Sequence, residues 1–161
     1  MTFMDAMRVI FDNEGGYSNN PLDPGGETKF GISKRSYPNV DIKNMTLDKA
    51  AVIYKRDYWD KINGDALPYP VALVAFDIGV NAGIHEAAIL LQKSVDVVQD
   101  GNIGPKTINA VKNHDIIELI NEFSTLRMLY YISLANFKIF GKGWTKRSFD
   151  THTEAVKHVW N

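Results

Sequence analysis

Residues 13–33 read NEGGYSNNPLDPGGETKFGIS, and the fold turns on how this stretch is understood. Ahead of it, Phe3, Met7, Ile10 and Phe11 recur at helical spacing, which predicts an amphipathic helix over residues 2–14. Gly15 and Gly16 stop that helix, because glycine tolerates the left-handed conformation in which helices end. From Tyr17 to Ser33 no helical period survives. Asn19, Asn20, Pro21, Pro24, Gly25 and Gly26 mark turns, and TKFGIS supplies a short strand. The stretch is therefore a small irregular wing hung from a helix end. Glu14 stands where the helix stops, and Asp23, Glu27 and Thr28 stand on the wing.

Downstream of the wing the chain reads as helices. Thr46 is an N-cap for a helix expected to run to about Ile62, with Leu47, Ala50, Ala51, Tyr54 and Tyr58 on one face. PVALVAFDIGVNAG (70–83) is apolar nearly all round, which marks a buried central helix. HEAAILLQKSVDVV (85–98) is another helix, ended by the turn QDGNIGP. A short helix follows Pro105, and a long one is expected from about Asp115 to Phe137. GKGW (141–144) should break it, leaving a last helix over 145–160. The expectation is a mainly helical α+β globule of six or seven helices with one small wing.

Composition narrows the function classes. With 161 residues, 45% of them apolar, the chain has material for one real core. Eighteen basic against 19 acidic side chains leave a net charge of −1, which lacks the broad basic field that duplex nucleic acid requires. There is no cysteine, so disulfides and thiolate metal sites are excluded. His85, His114, His152 and His158 do not cluster at metal-ligand spacing; no metal and no cofactor are expected. The N-terminal residues show no signal-peptide pattern, and the longest apolar run is interrupted by Asp77 and too short to span a bilayer. The expectation is a monomer made in the cytoplasm without stable membrane insertion.

The wing has the residue types that glycoside hydrolysis needs. One carboxylic acid must protonate the leaving oxygen, and a second polar group must stabilise the oxocarbenium ion or hold a water. The two need different environments so that their pKa values separate. Glu14, at a helix C-terminus beside apolar residues such as Phe11, is placed to stay protonated. Asp23, on a turn-rich wing, should stay ionised, and Thr28 can share a water with it. Glycines including Gly31 clear space for a sugar chain against the backbone. Glu27 competes with Asp23 for the second role, and on residue types alone an ordinary loop with two carboxylates is the commoner arrangement.

EGGYSNNPLDPGGETKFGIS resembles the opening signature of glycoside hydrolase family 108, a group of muramidases found as phage endolysins and as secretion-associated peptidoglycan hydrolases. Glu14, Gly15, Gly16, Tyr17, Asp23, Pro24, Gly25, Gly26, Thr28, Gly31 and Ile32 fit that signature. The resemblance implies a lysozyme-like fold and assigns the catalytic glutamate to Glu14. A looser likeness to the glutamate, aspartate and threonine triad of phage-type lysozymes adds Asp23 and Thr28. It implies single displacement by a water held on Asp23 and Thr28, with a covalent intermediate on Asp23 as the competing route. Tyr17 and Gly31 are the wing's candidate substrate contacts. YKRDYWDKI resembles the family segment whose aromatics line the sugar cleft, making Tyr58 and Trp59 candidates, with core packing the alternative for Trp59. FDIGVNAG matches the family pattern through Asp77 and Asn81, which serve either as structural support or, for Asn81, as a sugar contact; Asp77 also stays open as a sharer of the catalytic role.

From about His85 the chain is similar to the predicted peptidoglycan-binding region that accompanies the family. It carries the Asp100, Gly101, Gly104, Pro105 and Thr107 turn, then Gly143, Trp144 and Arg147. Arg147 either meets a peptide-stem carboxylate or caps a helix. The division expected is a catalytic region over 1–86 and a helical region over 87–161, packed into one globule. The resemblance implies an N-acetylmuramidase cutting the β-1,4 bond between N-acetylmuramic acid and N-acetylglucosamine in peptidoglycan strands, in the periplasm or wall. It would reach them through a holin-like pore or by aiding secretion. The rival readings are a non-catalytic wall-binding protein, and a lytic transglycosylase or chitinase-like enzyme.

Overall fold

A computed structural model describes residues 1–12, 17–19 and 26–159. Glu14 and Asp23 lie outside these described residues. Helix α1 (Phe3–Asp12) leads to a two-stranded antiparallel hairpin of β1 (Thr28–Lys29) and β2 (Ile32–Ser33). Then come α2 (Leu47–Tyr54), α3 (Tyr69–Ala82), α4 (Ile84–Ser94), α5 (Pro105–Lys112), α6 (Ile116–Ser133) and α7 (Phe137–Lys157). Among the described residues the architecture is mainly helical with one small sheet.

The centre is α3. Pro70 through Gly79 are all buried, as an almost uniformly apolar sequence requires, and the helix packs against α1, α4, α6 and α7. It therefore sits in one core with both the earlier and the later parts of the chain. The cap foreseen at Thr46 is present, and α6 carries one at Asp115, where that helix was expected to begin. Thr46 accepts from the Lys49 amide at the start of α2, and Asp115 accepts from the Ile117 and Glu118 amides at the start of α6.

The helix expected through Ile62 is shorter. After Tyr54 the backbone opens into a π turn over Lys55–Trp59, closed by the Asp60 amide donating to the Lys55 carbonyl at 2.8 Å. The cause is packing: Tyr54 and Trp59 are both 2% exposed. Five positions apart, they would point about 140° away from each other on an α-helix, and the wider turn brings both to the core. A 3₁₀ turn at Gly64–Ala66 follows.

The break expected at GKGW also moves. The chain turns at residues 134–136 instead, and α7 runs unbroken through Gly141 and Gly143. Gly141 admits a neighbour: a Cβ there would lie 2.9 Å from the Phe137 ring. The Asp100–Thr107 turn is held internally by Gln92. Its amide nitrogen donates to Asp100 Oδ1 (2.7 Å), the Asn102 carbonyl (3.0 Å) and Thr107 Oγ1 (3.2 Å), while its oxygen accepts from the Gly101 amide (3.0 Å). This is an architectural closure of a turn.

Candidate active site

Two backbone devices build the wing. Ser18 and Thr28 exchange a pair of amide–carbonyl hydrogen bonds, each 2.8 Å, which brings together the two ends of the segment that contains Asp23 in sequence. Thr28 then pairs with Ser33 and Lys29 with Ile32 across a two-residue turn of Phe30 (φ 52°) and Gly31 (φ 72°). Two successive positive φ values define a type I′ turn, whose twist matches the hairpin it closes. Gly31 holds its place at no steric cost. Phe30 does not, and a bulky residue keeps a left-handed backbone only where its surroundings over-determine it.

Those surroundings are the helices. The Tyr54 hydroxyl donates to the Phe30 carbonyl at 2.9 Å, and the Phe30 ring packs on Phe11 with centroids 5.3 Å apart. Phe11 also meets Tyr54 edge-on at 5.6 Å. The hairpin is thereby clamped to the last turn of α1 and to α2. Thr28, Tyr17 and Gly31 share this wing. The Tyr17 hydroxyl donates to Glu27 Oε1 at 2.9 Å, and that bond to the Glu27 carboxylate is the chief reason the phenol's pKa is raised. The Thr28 hydroxyl donates to the Gly26 carbonyl at a long 3.4 Å.

Tyr58 and Trp59 part company. Tyr58 is half-buried and stacks on Tyr54 at 5.3 Å, with rings inclined by 29°. Beside it Tyr37 donates to Asp57 at 2.9 Å. Burial first, then that bond and Tyr58, drive the Tyr37 phenol well above its ordinary range. Trp59 corrects the expectation of a sugar platform. At 2% exposed it fills the core against Phe3 and Phe76, and its Nε1 donates to Asp65 at 2.7 Å. Gly64 lies flat against its indole, where a Cβ would come within 2.4 Å. No face of the ring is open to a substrate.

Asp77 and Asn81, one turn apart on α3, enter a polar network between α3, α6 and α7. Asp77 is fully buried; Arg127 Nη2 donates to one of its oxygens at 2.5 Å and Arg147 Nε to the other at 2.8 Å. Asn81 Nδ2 donates to the Tyr131 hydroxyl at 2.6 Å, which also accepts from Arg127 Nε at 3.3 Å. A carboxylate with both oxygens held by guanidiniums and no solvent contact ties the three helices together. Arg147 thus meets a carboxylate of its own chain. Arg127 and Tyr131 escaped the sequence reading. The signal available was an arginine set inside the apolar run Leu126–Leu129, four positions before a tyrosine.

Comparison with known proteins agrees with this arrangement. The model for Glycosyl hydrolase 108 matches residues 7–83, and that for Predicted Peptidoglycan domain matches residues 86–149. The solved structure of Brucella abortus SagA superposes with a TM-score of 0.87 at 36% identity, over 99% of this chain and 96% of that one. The chain belongs to glycosyl hydrolase family 108. No curated protein matches it. As a family 108 protein it is a glycoside hydrolase acting on peptidoglycan, built on the mainly helical, lysozyme-like fold with an N-terminal wing that its sequence led us to expect.

Proposed function

We propose that the enzyme is an N-acetylmuramidase that hydrolyses the β-1,4 bond between N-acetylmuramic acid and N-acetylglucosamine, with Glu14 as the general acid. Asp23 and Thr28 hold the attacking water. Glu14 gives its proton to the glycosidic oxygen as the C1–O bond of muramic acid breaks. Water adds to C1 from the opposite face and its proton passes to Asp23, leaving a reducing muramic acid end and a free 4-hydroxyl. The observation that carries this reading is the clamped wing. Thr28 is fixed by backbone pairing to Ser18 and Ser33, and the hairpin is bolted to α1 through Phe11, three positions before Glu14. Such anchoring supplies the rigidity that a positioned water demands.

Tyr17, Gly31, Tyr58 and Asn81 are the proposed sugar contacts. The work is done in the periplasm or wall, as a phage endolysin leaving the cytoplasm through a holin-like pore or as a hydrolase aiding secretion, the protein acting as a monomer. The test is digestion of purified peptidoglycan in heavy-oxygen water, with Glu14→Gln as control and mass analysis of the products. Labelled reducing muramic acid ends that vanish with Glu14→Gln are expected. Anhydro ends would mean transglycosylation, and labelled glucosamine ends would mean a glucosaminidase; either overturns the proposal.

A further inference from the structure

We propose that the closed end of the α6–α7 hairpin is a docking surface for anionic lipid bilayers, which holds the enzyme at the boundary between membrane and wall. The first observation is charge. Residues 123–149 contain no Asp or Glu and five basic residues, in a chain whose net charge is −1, which leaves −6 on the rest. Three of those cations are committed within the protein, Arg127 and Arg147 to Asp77 and Lys146 to Asp150. Lys138 and Lys142 remain, one turn apart on the exposed first turns of α7, and neither makes an ion pair among the described residues.

The second observation is apolar exposure at the same place. Ile139 is 74% exposed, Ile132 55% and Phe140 52%, and Leu129 and Phe149 extend the surface back along the two helices. Five of the 11 large hydrophobic side chains exposed among the described residues fall within this sixth of the chain. Single exposed apolar residues need no explanation, but a cluster rimmed by cations at one end of a molecule does.

The tip is also preformed. Trp144 packs against Tyr131 at 5.2 Å, Phe140 at 5.8 Å and Phe137 at 6.4 Å, beneath the turn at 134–136. The apolar side chains are thus presented by a stiff aromatic base at little further cost in ordering.

Charge complementarity selects an anionic occupant, and the aliphatic exposure selects among anionic surfaces. Peptidoglycan offers carboxylates, hydroxyls and scattered methyl groups, a thin apolar contact for Ile139 and Ile132. A bilayer offers phosphate headgroups to Lys138 and Lys142 and hydrocarbon immediately beneath them. The mode is adsorption at the interface, since among the described residues no helix is long and apolar enough to cross a membrane.

The test is co-sedimentation of the full chain with vesicles rich in phosphatidylglycerol, against phosphatidylcholine vesicles, at physiological salt. Binding to the anionic vesicles alone is expected, weakened about fivefold for each lysine in Lys138→Gln and Lys142→Gln. It should be abolished in Ile139→Ser with Phe140→Ser, while hydrolysis of isolated sacculi stays unchanged. Because the chain has no cysteine, Ala135→Cys in the exposed turn carries a single environment-sensitive dye. A blue shift of its emission with anionic vesicles reports docking without disturbing the patch. Equal binding to both vesicle types, no blue shift, or loss of sacculus binding in the Ile139/Phe140 variant would each overturn the proposal. So would a concentration-dependent dimer that the same variant dissolves.

Discussion

Replacing Asp77 by Asn keeps the shape of the side chain at the hub of α3, α6 and α7 and removes its charge. Both guanidiniums, one 1% and the other 14% exposed, then lose this carboxylate. Breaking a buried ion pair by removing one partner costs about 3–5 kcal/mol, because the remaining charge stays desolvated. Here a single residue serves two partners, so the upper half of that range applies. Arg147, which reaches some solvent, recovers part of its hydration; Arg127 cannot. In a protein of this length each kcal/mol lowers the melting temperature by about 2–4 °C, so a fall of about 10–15 °C is expected.

The measurement is thermal and urea unfolding followed by circular dichroism. Its sharper form is an ordering: Asp77→Asn should cost more than Arg127→Met, which leaves Asp77 paired with Arg147. Replacing all three charges together, as Asp77→Leu, Arg127→Met and Arg147→Met, should recover most of the loss. A fall below about 3 °C for Asp77→Asn, or the reverse ordering, would refute the reasoning.

Four further predictions concern the wing and its support. Gly64→Ala drives a methyl into the Trp59 indole and should cost about 1–3 kcal/mol; Trp59→Phe should lower the melting temperature yet leave KM for glycan strands unchanged, since its ring touches only the core. Tyr54→Phe strips the Phe30 carbonyl of its donor and should cost about 1 kcal/mol, with kcat falling more than KM rises as the hairpin loosens. Asp57 is held below its ordinary pKa, first by the Arg56 guanidinium and then by the Tyr37 phenol. A lowered carboxylate pKa stabilises the fold above about pH 4 and is lost as pH falls through the folded value. The destabilisation by Tyr37→Phe, about 1 kcal/mol in urea melts at pH 7, should therefore shrink toward pH 2; an effect independent of pH would sink it.

Features governed by neighbours in sequence were the ones legible without a structure. Thr46 and Asp115 cap helices for reasons that lie within three residues of each, and α3 is buried because almost nothing in it is polar. Gly141 and Gly143 misled because glycine is read as a helix breaker. In α7 the continuity is decided by Phe137 packing onto the space that Gly141 leaves. The π turn escaped because it is the joint demand of Tyr54 and Trp59 on one core, and periodicity assumes α geometry from the outset. Asp77, Arg127 and Arg147 meet across 50 and 70 positions, a pairing to which no local pattern points. For the site itself, the wing's glycines and hydroxyls were readable as a turn-rich hairpin. The clamp that steadies it, Phe11 and Tyr54 on Phe30, depends on helices folding back over it.

The burial of α3 bears on how such enzymes are re-engineered. The boundary between the two matched families falls at residues 83–86, just after this helix, yet its apolar faces are covered by α4, α6 and α7 from the other side of that boundary. Cutting there would leave a greasy cylinder on one fragment and an empty socket on the other. Chimaeras that graft a foreign wall-binding tail at residue 85 should precipitate, whereas grafts that keep the whole bundle and add the new tail beyond its last helix should stay soluble.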